Sequence, residues 1–336
     1  MVSRKKPRIS YNLNNKKSDS FDKLPDDLVI SILSKLSFSS SSPSDFFNAL
    51  LVCKRFSRLG MNKVVLSKAC SGVLAIKAKN WSESAHRFLK LCVCAGSVEA
   101  AYFLGMIRFY CLDNRGIGRS LMAKAAIKSH APALYSLAVI QFNGSGGTKS
   151  DKDLRAGVAL CARAAYLGHV DAHRELGHCI QDGYGIKQNV SEGRRLLIQA
   201  NARELASVLP HLCSAKGKKG AGKFGAGYST LLSDYGCNVP APEPHPANRF
   251  LVDWFESREL GPDTRLCSHA GCGRPETRPH EFRRCSVCGT VNYCSRGCQA
   301  IDWKLRHKAV CTPMGLGLDL GVVGEAPVNE AHQVPT

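Results

Sequence analysis

Eight residues in the C-terminal part of the chain have the types and spacings of metal ligands. They form four pairs, Cys267-x4-Cys272, Cys285-x2-Cys288, Cys294-x3-Cys298 and His307-x3-Cys311. Zinc takes four thiolate or imidazole ligands in a tetrahedron, and closely spaced pairs are how a short chain supplies them. Eight ligands fill two sites and leave no open position for a catalytic water, so the sequence predicts two structural zinc ions.

The distribution of the cysteines argues against a disulfide scaffold. The chain has 336 residues and 16 cysteines, and seven of these lie between Cys267 and Cys311 while the other nine are scattered. In a reducing compartment the clustered set is typical of zinc binding and the scattered set of small buried side chains. No apolar run is long enough to span a membrane, and the basic N-terminus lacks a secretory signal. We therefore expect an intracellular protein.

The zinc-ligand pairs also resemble a known family. Their order, with Tyr293-Cys294-Ser295 and a Gln299 and Trp303 that follow Cys298, resembles the MYND finger. In that family the sites interleave, which implies two sets of ligands. These are Cys267, Cys272, Cys294 and Cys298 for one zinc, and Cys285, Cys288, His307 and Cys311 for the other.

MYND fingers in several proteins bind short proline-containing peptides. The resemblance implies that Gln299 and Trp303 line such a groove, and their spacing of four places both on one face of a helix. The alternative for Trp303 is a core aromatic that shields the second zinc. If their segments are helical, Cys294 and Cys298 share one helical face, as do His307 and Cys311. The stretch from Trp303 to His307 is one residue longer than in many members of the family.

Residues 21–65 are predicted to form a small helical unit. Apolar side chains recur at helical spacing after Pro25, the serines Ser37 to Ser44 break the helix, and Asp45 is a plausible cap of a second helix that runs to Phe56. Leu24-Pro25-Asp26-Asp27-Leu28 and Leu51-Val52-Cys53-Lys54-Arg55-Phe56 resemble the two ends of the F-box, a helical platform for the SKP-type adaptor of SCF ubiquitin ligases. The resemblance implies adaptor contacts at Leu24, Pro25, Leu28, Ile32 and Leu33.

Residues 66–213 contain internal repeats. Ala100, Ala133 and Ala172 lie at matching positions, 33 and 39 residues apart, each followed by Leu and a small residue. This period is typical of solenoids of paired helices, with Gly144 and Gly183 in the turns. The units resemble Sel-like repeats, relatives of tetratricopeptide repeats that bind proteins on a concave face. The array could instead be only a spacer.

The sequence therefore predicts a mainly α protein: an F-box helical unit, an α-solenoid of Sel-like helix-pair repeats and a small two-zinc MYND finger. The predicted segments, in chain order, are a disordered basic tail at 1–20, the F-box at 21–65, repeats at 66–213, a flexible linker at 214–247, a helix leading to the finger at 248–266, the finger at 267–311 and a loose tail at 312–336. The basic run Arg4 to Arg8 is either a nuclear import signal or a solubilising tail.

The order of the three blocks resembles plant F-box proteins that carry a MYND finger. The resemblance implies a non-catalytic substrate receptor of a cullin-type ubiquitin ligase, which docks the SKP-type adaptor and recruits a target protein for ubiquitination in the nucleus or cytoplasm. The alternative is a zinc-dependent interaction scaffold or a nucleic-acid-associated regulator outside a ligase.

Nucleic-acid binding is the less favoured partner class. The formal charge of +19 favours acidic partners in general. However, the finger lacks the ligand spacing that delivers a helix to the major groove, and the basic residues are dispersed along the chain. No cofactor-binding or catalytic block accompanies the finger, so we expect no enzyme activity.

Overall fold

The structure is a computed structural model that describes residues 23–215, 243–258, 260–261 and 263–313. The described residues divide into two compact units, one made of residues 23–75 and 83–100 and the other of residues 76–82 and those that follow residue 100. The basic tail, most of the predicted linker and most of the C-terminal tail lie outside the described residues.

The first unit consists of short helices around a small apolar core. Its helices are α1 Asp26–Ser39, α2 Pro43–Leu51, α3 Lys54–Gly60, α4 Lys63–Ser67, α5 Ser71–Leu74 and α6 Glu83–Ala95. Val29, Leu33, Phe46, Leu50 and Val65 are among the side chains buried in this core. Burial of such apolar surface is the main favourable contribution to the folding of so small a unit.

Helix boundaries in the first unit differ from the predicted ones. Helix α1 continues through the first serines to Ser39, and α2 begins two residues before Asp45. The cap is Ser42, while the Asp45 carboxylate accepts the backbone N–H of Ser42 at 2.9 Å to complete a capping box. The predicted second helix is also split, because Cys53 caps a separate helix α3.

The second unit contains the helix-pair repeats. Its helices continue along the chain as α7 Val98–Tyr110, α8 Arg115–Ile127, α9 Ala131–Asn143, α10 Leu154–Tyr166, α11 Val170–Asp182 and α12 Val190–Ala215, of which α7 begins in the first unit. Short 3-10 turns lie at Ala78–Asn80 and Lys149–Asp151. Gly144 and Gly183 end α9 and α11 in the left-handed conformation, as the turn prediction requires.

The repeats have inner helices, α9 and α11, and outer helices, α8, α10 and α12. Every residue from Ala133 to Ile140 in α9 and from Ala172 to Gly177 in α11 is buried, although α11 includes charged side chains. The outer helices α8 and α10 bury only one side and expose the other. A helix that is buried all round must be covered on two opposite sides. The inner helices are therefore covered by something other than their repeat partners.

Helix α13, Pro246–Glu256, belongs to the repeat unit and is more than a lead into the finger. Phe250 and Trp254 contact Trp81, with ring centroids 5.5 and 6.5 Å away, and Phe250 also contacts Phe103. The helix begins at Pro246, two residues before the predicted start, with His245 as its cap. Pro at the first helical position loses no hydrogen bond, which explains this start.

Among the described residues, no helix combines the length and the apolar character that crossing a bilayer demands.

A close approach of α7 and α8 gives a test of the repeat packing. A methyl group at Gly118 would lie 2.6 Å from the backbone nitrogen of Phe109 and 2.8 Å from the carbonyl oxygen of Gly105. We predict that Gly118→Ala lowers the free energy of unfolding by about 1–3 kcal/mol, because overpacking outweighs the better helix propensity of Ala. Urea denaturation of the metal-loaded protein measures it.

The matched control is Gly116→Ala in the same helix, where nothing lies within 4 Å of the added methyl group. We expect it to change stability by no more than about 0.5 kcal/mol. Equal stability of the two variants would contradict the close approach.

Candidate functional sites

The finger is a small irregular fold in which most of the backbone serves to place ligands. Strands β1 Arg283–Arg284 and β2 Asn292–Tyr293 form an antiparallel pair, and the chain continues through helix α14 Arg296–Asp302, a π-helical turn Trp303–His307 and helix α15 Lys308–Val310. Ser295 caps α14 by accepting the backbone N–H of Cys298 at 3.0 Å. With so little regular structure, the finger depends on its ligand clusters for a core.

The first cluster joins Cys267, Cys272, Cys294 and Cys298. All four side chains are buried, and their sulfur atoms lie within 4.8 Å of one another. The sulfur of Cys294 is 3.6 Å from that of Cys272 and 3.6 Å from that of Cys298. Ligands 2.3 Å from a tetrahedral zinc have sulfur atoms about 3.8 Å apart, so this cluster fits zinc.

The second cluster joins Cys285, Cys288, His307 and Cys311, again within 4.8 Å of one another. The sulfur atoms of Cys285 and Cys311 are 3.9 Å apart, and His307 Nε2 is 3.5 Å from the Cys288 sulfur. A tetrahedral zinc with one imidazole ligand requires a sulfur–nitrogen separation of about 3.5 Å. The structure thus groups the eight side chains in the two sets that the MYND resemblance implies, and both sets fit zinc.

Neighbouring groups favour the thiolate form of one cysteine in each cluster. Burial raises the pKa of Cys267 and of Cys311, and the neighbouring thiols raise the pKa of Cys298. The hydroxyl and backbone of Thr290 lower the pKa of Cys288 to about 6. Hydrogen bonds from the other three thiols hold the pKa of Cys272 well below its usual range. The buried guanidinium of Arg274 also lies 3.4 Å from the Cys272 sulfur. Because zinc binds thiolates, these contacts favour metal binding.

Two local features of the ligand segments differ from the predicted helical faces. Cys294 follows strand β2 and precedes the helix cap, so Cys294 and Cys298 do not share a helical face. The segment from Trp303 to His307 forms a π-helical turn, which accommodates one extra residue in a helix. This turn explains how the longer spacing still delivers His307 to its cluster.

The proposed peptide residues lie on the last helical segments of the finger. Gln299 and Trp303 are both half-buried. The Trp303 ring packs edge-on against the His307 ring, with centroids 5.6 Å apart. The Trp303 ring thus contacts a side chain of the second cluster, and part of its surface remains exposed.

The finger covers the inner helices of the repeats, which no sequence pattern foretold. Arg274 donates to the Ser136 hydroxyl at 2.9 Å, and the Asn143 amide donates to the carbonyl oxygen of Cys294 at 2.7 Å. Four further contacts join the same surfaces. They link Tyr135 to Ser295, Ser145 to Glu281, Gly146 to Thr277, and Arg278 to the carbonyl oxygens of Asn143 and Gly144. The concave side of the array is therefore occupied by the chain's own finger.

Charged side chains are buried in this contact. The Glu175 carboxylate accepts the backbone N–H of Gly297 at 2.6 Å in the first turn of α14, and burial raises the pKa of Glu175. Glu204 accepts Arg174 at 2.7 Å and Lys304 at 2.6 Å, and all three side chains are at most 5% exposed. Buried charges are tolerated only when they are paired and hydrogen-bonded, so these groups fix the finger in one position.

The first unit presents apolar side chains at its surface. Leu28 and Ile32, one helical turn apart on α1, are 48% and 47% exposed. Pro25 is exposed and Leu24 is half-buried, so both are accessible to a partner at the surface. Leu33 differs from the expectation of a surface contact, because it is 2% exposed and lies in the core. Its buried side chain supports the platform from inside.

The two ends of the F-box motif meet in the structure. The Arg55 guanidinium donates to Asp26 at 2.8 Å and to the carbonyl oxygen of Leu24, which ties α3 to the start of α1. Leu51, the last residue of α2, and Val52, which follows it, are 81% and 71% exposed. The sequence places these two residues within the motif, and two consecutive large apolar side chains at a helix boundary are the signal that marks them as surface candidates.

Comparison with protein families identifies four matching segments. A model described as F-box domain matches residues 21–67, one described as plant tetratrico peptide repeats matches residues 73–155, one described as Sel1 repeat matches residues 170–203, and one described as MYND finger matches residues 267–311. The predicted mainly α fold of F-box, helix-pair repeats and finger is confirmed.

Two plant proteins are similar over nearly the whole chain. An Arabidopsis thaliana F-box protein, At1g67340, is 66% identical over 94% of this chain and 86% of its own. A second, At5g50450, is 62% identical over 97% of this chain and 94% of its own. The resemblance to plant F-box proteins is thereby confirmed.

Similarity to solved structures is lower. A Sel1 repeat protein from Oxalobacter formigenes has a TM-score of 0.42 and 15% identity, covering 60% of this chain and 84% of its own. The Escherichia coli antigen c5321 has a TM-score of 0.42 and 13% identity, covering 69% and 46% respectively.

The contact between Glu175 and Gly297 gives a test of finger docking. We predict that Glu175→Ala lowers the free energy of unfolding of the metal-loaded protein by about 1–3 kcal/mol, because it leaves a buried N–H without an acceptor. Glu175→Gln keeps an acceptor and removes a buried charge, so it should retain stability. Thermal denaturation measures both.

Glu192→Ala is the control, because Glu192 forms a surface pair with Arg195. Such exposed pairs contribute little to stability, so we expect a much smaller change than in Glu175→Ala. A Glu175→Ala variant as stable as this control would show that the finger does not pack on α11 as described.

Proposed function

The chain belongs to the family of plant F-box proteins, and from that premise we propose that it is a substrate-receptor subunit of an SCF-type cullin ubiquitin ligase. In this role the F-box binds a SKP-type adaptor, and another part of the chain recruits a target protein for ubiquitination. The protein itself carries out no chemistry, which would belong to other subunits.

The exposed apolar surface of the first unit carries this proposal. Leu28, Ile32, Leu51 and Val52 are large apolar side chains that remain 47–81% exposed in the folded unit. Clusters of exposed apolar side chains in a small helical unit are typical of protein-binding surfaces. Leu24 and Pro25 at the start of α1 complete the proposed adaptor contact, and Leu33 holds the platform together.

The two ligand clusters support a structural role for zinc. We propose that one ion binds Cys267, Cys272, Cys294 and Cys298, and the other binds Cys285, Cys288, His307 and Cys311. Each ion would have four protein ligands and no exchangeable position, so it would serve folding and not catalysis. Since the finger covers the inner helices, the ions would also stabilise the repeats.

Target recruitment by the finger is a further part of the proposal. Gln299 and Trp303 would contact a proline-containing peptide through the surface that they retain. The concave face of the repeats, which the family resemblance implied as a binding face, is covered by the finger. Peptide binding there would require the finger to leave its site.

Adaptor binding can be tested at the exposed pair on α1. We predict that Leu28→Ser/Ile32→Ser weakens binding to a purified SKP-type adaptor by at least about tenfold, because apolar anchors carry most of the energy of such interfaces. Isothermal titration calorimetry on the zinc-loaded protein measures it. Nuclear import through Arg4 to Arg8 is a separate question that a truncated tail would address.

Leu112→Ser/Ile117→Ser is the matched control, since these side chains are 37% and 47% exposed in the second unit. It should bind the adaptor like the unchanged protein. If the unchanged protein does not bind the adaptor, the ligase proposal fails, and a zinc-dependent scaffold outside a ligase becomes the better explanation.

Metal content gives an independent test. We predict two zinc ions per chain by mass spectrometry and one in Cys272→Ser, because a four-ligand site that loses a thiolate no longer holds its ion. Cys94→Ser, at an exposed cysteine outside both clusters, should retain both ions. Unchanged zinc content in Cys272→Ser would disprove the assigned ligand set.

A further inference from the structure

The outer helices of the repeats collect positive charge that is dispersed in the sequence. Helices α8 and α10 together carry Arg115, Arg119, Lys124, Arg155 and Arg163 and contain no acidic residue. A solvated helix face normally mixes both signs, because intervening carboxylates relieve repulsion between the cations. The expectation of evenly spread basic residues therefore holds for the sequence but not for the surface.

Two of these cations recur at matching positions of successive repeats, and a third cation, Arg203, lies on the next outer helix. Lys124 on α8 and Arg163 on α10 are 39 residues apart, which is the period of Ala133 and Ala172. In the described part of the chain, none of the three cations pairs with a carboxylate, and Arg163 donates only to the Ser129 hydroxyl. Their charges are thus available to a partner.

Contacts between repeats make these positions continuous. The Arg163 guanidinium lies 3.0 Å from the Ser129 hydroxyl at the end of α8. The Arg203 guanidinium lies 3.9 Å from the position of a methyl group added to Gly168 at the end of α10. The C-terminal ends of α8 and α10 and the middle of α12 are therefore neighbours, and their side chains form one surface.

Two large apolar side chains lie about one helical turn beyond Lys124 and Arg163. Ile127 is 75% exposed and Tyr166 is 89% exposed, and they too are 39 residues apart. We name the set of Lys124, Ile127, Arg163, Tyr166 and Arg203 the outer ridge. Cations in the last turn of a helix interact favourably with the helix dipole, and this interaction explains the presence of Lys124 and Arg163. It does not account for a large apolar side chain exposed beside each of them.

We propose that the outer ridge is a docking site for an acidic protein segment that carries apolar side chains. Carboxylates of the segment would pair with the three cations, and its apolar side chains would cover Ile127 and Tyr166. Nucleic acid fits less well, because a phosphate backbone gains nothing from an exposed aliphatic Ile127. The site does not require the F-box to bind an adaptor, and it lies on the side of the repeats that the finger leaves uncovered.

The span of the ridge sets the length of a test peptide. Neighbouring helices lie about 8–10 Å apart, so three positions on successive outer helices cover roughly 20 Å, or about six extended residues. A labelled peptide in which Glu alternates with Leu and Phe is the probe, and the same peptide with Gln in place of Glu is its control. Fluorescence anisotropy with the full zinc-loaded chain measures binding.

We expect the Glu peptide to bind and the Gln peptide to bind at least about tenfold more weakly. Lys124→Glu/Arg163→Glu/Arg203→Glu should abolish most of the binding, and Ile127→Ser/Tyr166→Ser should weaken it several-fold. Lys77→Glu/Lys79→Glu/Lys90→Glu makes the same change in net charge at exposed positions outside the ridge. It should leave binding within about twofold, since only local charges act strongly at physiological salt.

Three outcomes would overturn the proposal. The first is that the Glu peptide does not bind to a chain whose circular dichroism and zinc content are normal. The second is that the control charge reversals weaken binding as much as those in the ridge. The third is that a single-stranded oligonucleotide of equal charge binds as tightly as the peptide while Ile127→Ser/Tyr166→Ser changes nothing, which would make the ridge a general polyanion surface.

Discussion

The second unit depends on the contact between the finger and the inner helices α9 and α11. Those helices are buried all round, and they carry groups such as Tyr135, Ser136 and Glu175 that need polar partners when water is excluded. The finger supplies those partners in Ser295, Arg274 and the N–H of Gly297. Without the finger, the polar groups of the inner helices would lose these hydrogen-bond partners, and without the inner helices the finger would lose them too.

This dependence gives the metal clusters a wider structural role than that of a small independent finger. The carbonyl oxygen of Cys294 and the N–H of Gly297, which contact the repeats, flank the ligand positions themselves. Helix α13 adds a second link, because the Asn248 amide donates to the carbonyl oxygen of Cys272. The position of the metal ligands and the packing of the repeats are thus set by the same hydrogen bonds.

The sequence predicted what depends on local spacing and missed what depends on distant contacts. Ligand pairs, the Gly144 turn and the 39-residue period are all visible within short windows. The hydrogen bond from Arg274 to Ser136 joins residues 138 positions apart, and no pattern in either segment predicts it. The burial of Leu33 and the separation of Cys294 from helix α14 were missed for a related reason, because a periodic pattern does not say which face is covered or where a helix begins.

The covering of the inner helices also has a consequence for the order in which the chain is made. Helices α9 and α11 leave the ribosome well before residues 267–311, which supply their cover. Because domains begin to fold during synthesis, Tyr135 and Glu175 of the nascent repeats would stay open to water until the finger is translated and, if it binds zinc as proposed, has taken up its ions. The supply of metal in the cell would then limit the last step of folding. During that interval the repeats would be most exposed to proteases and most dependent on chaperones.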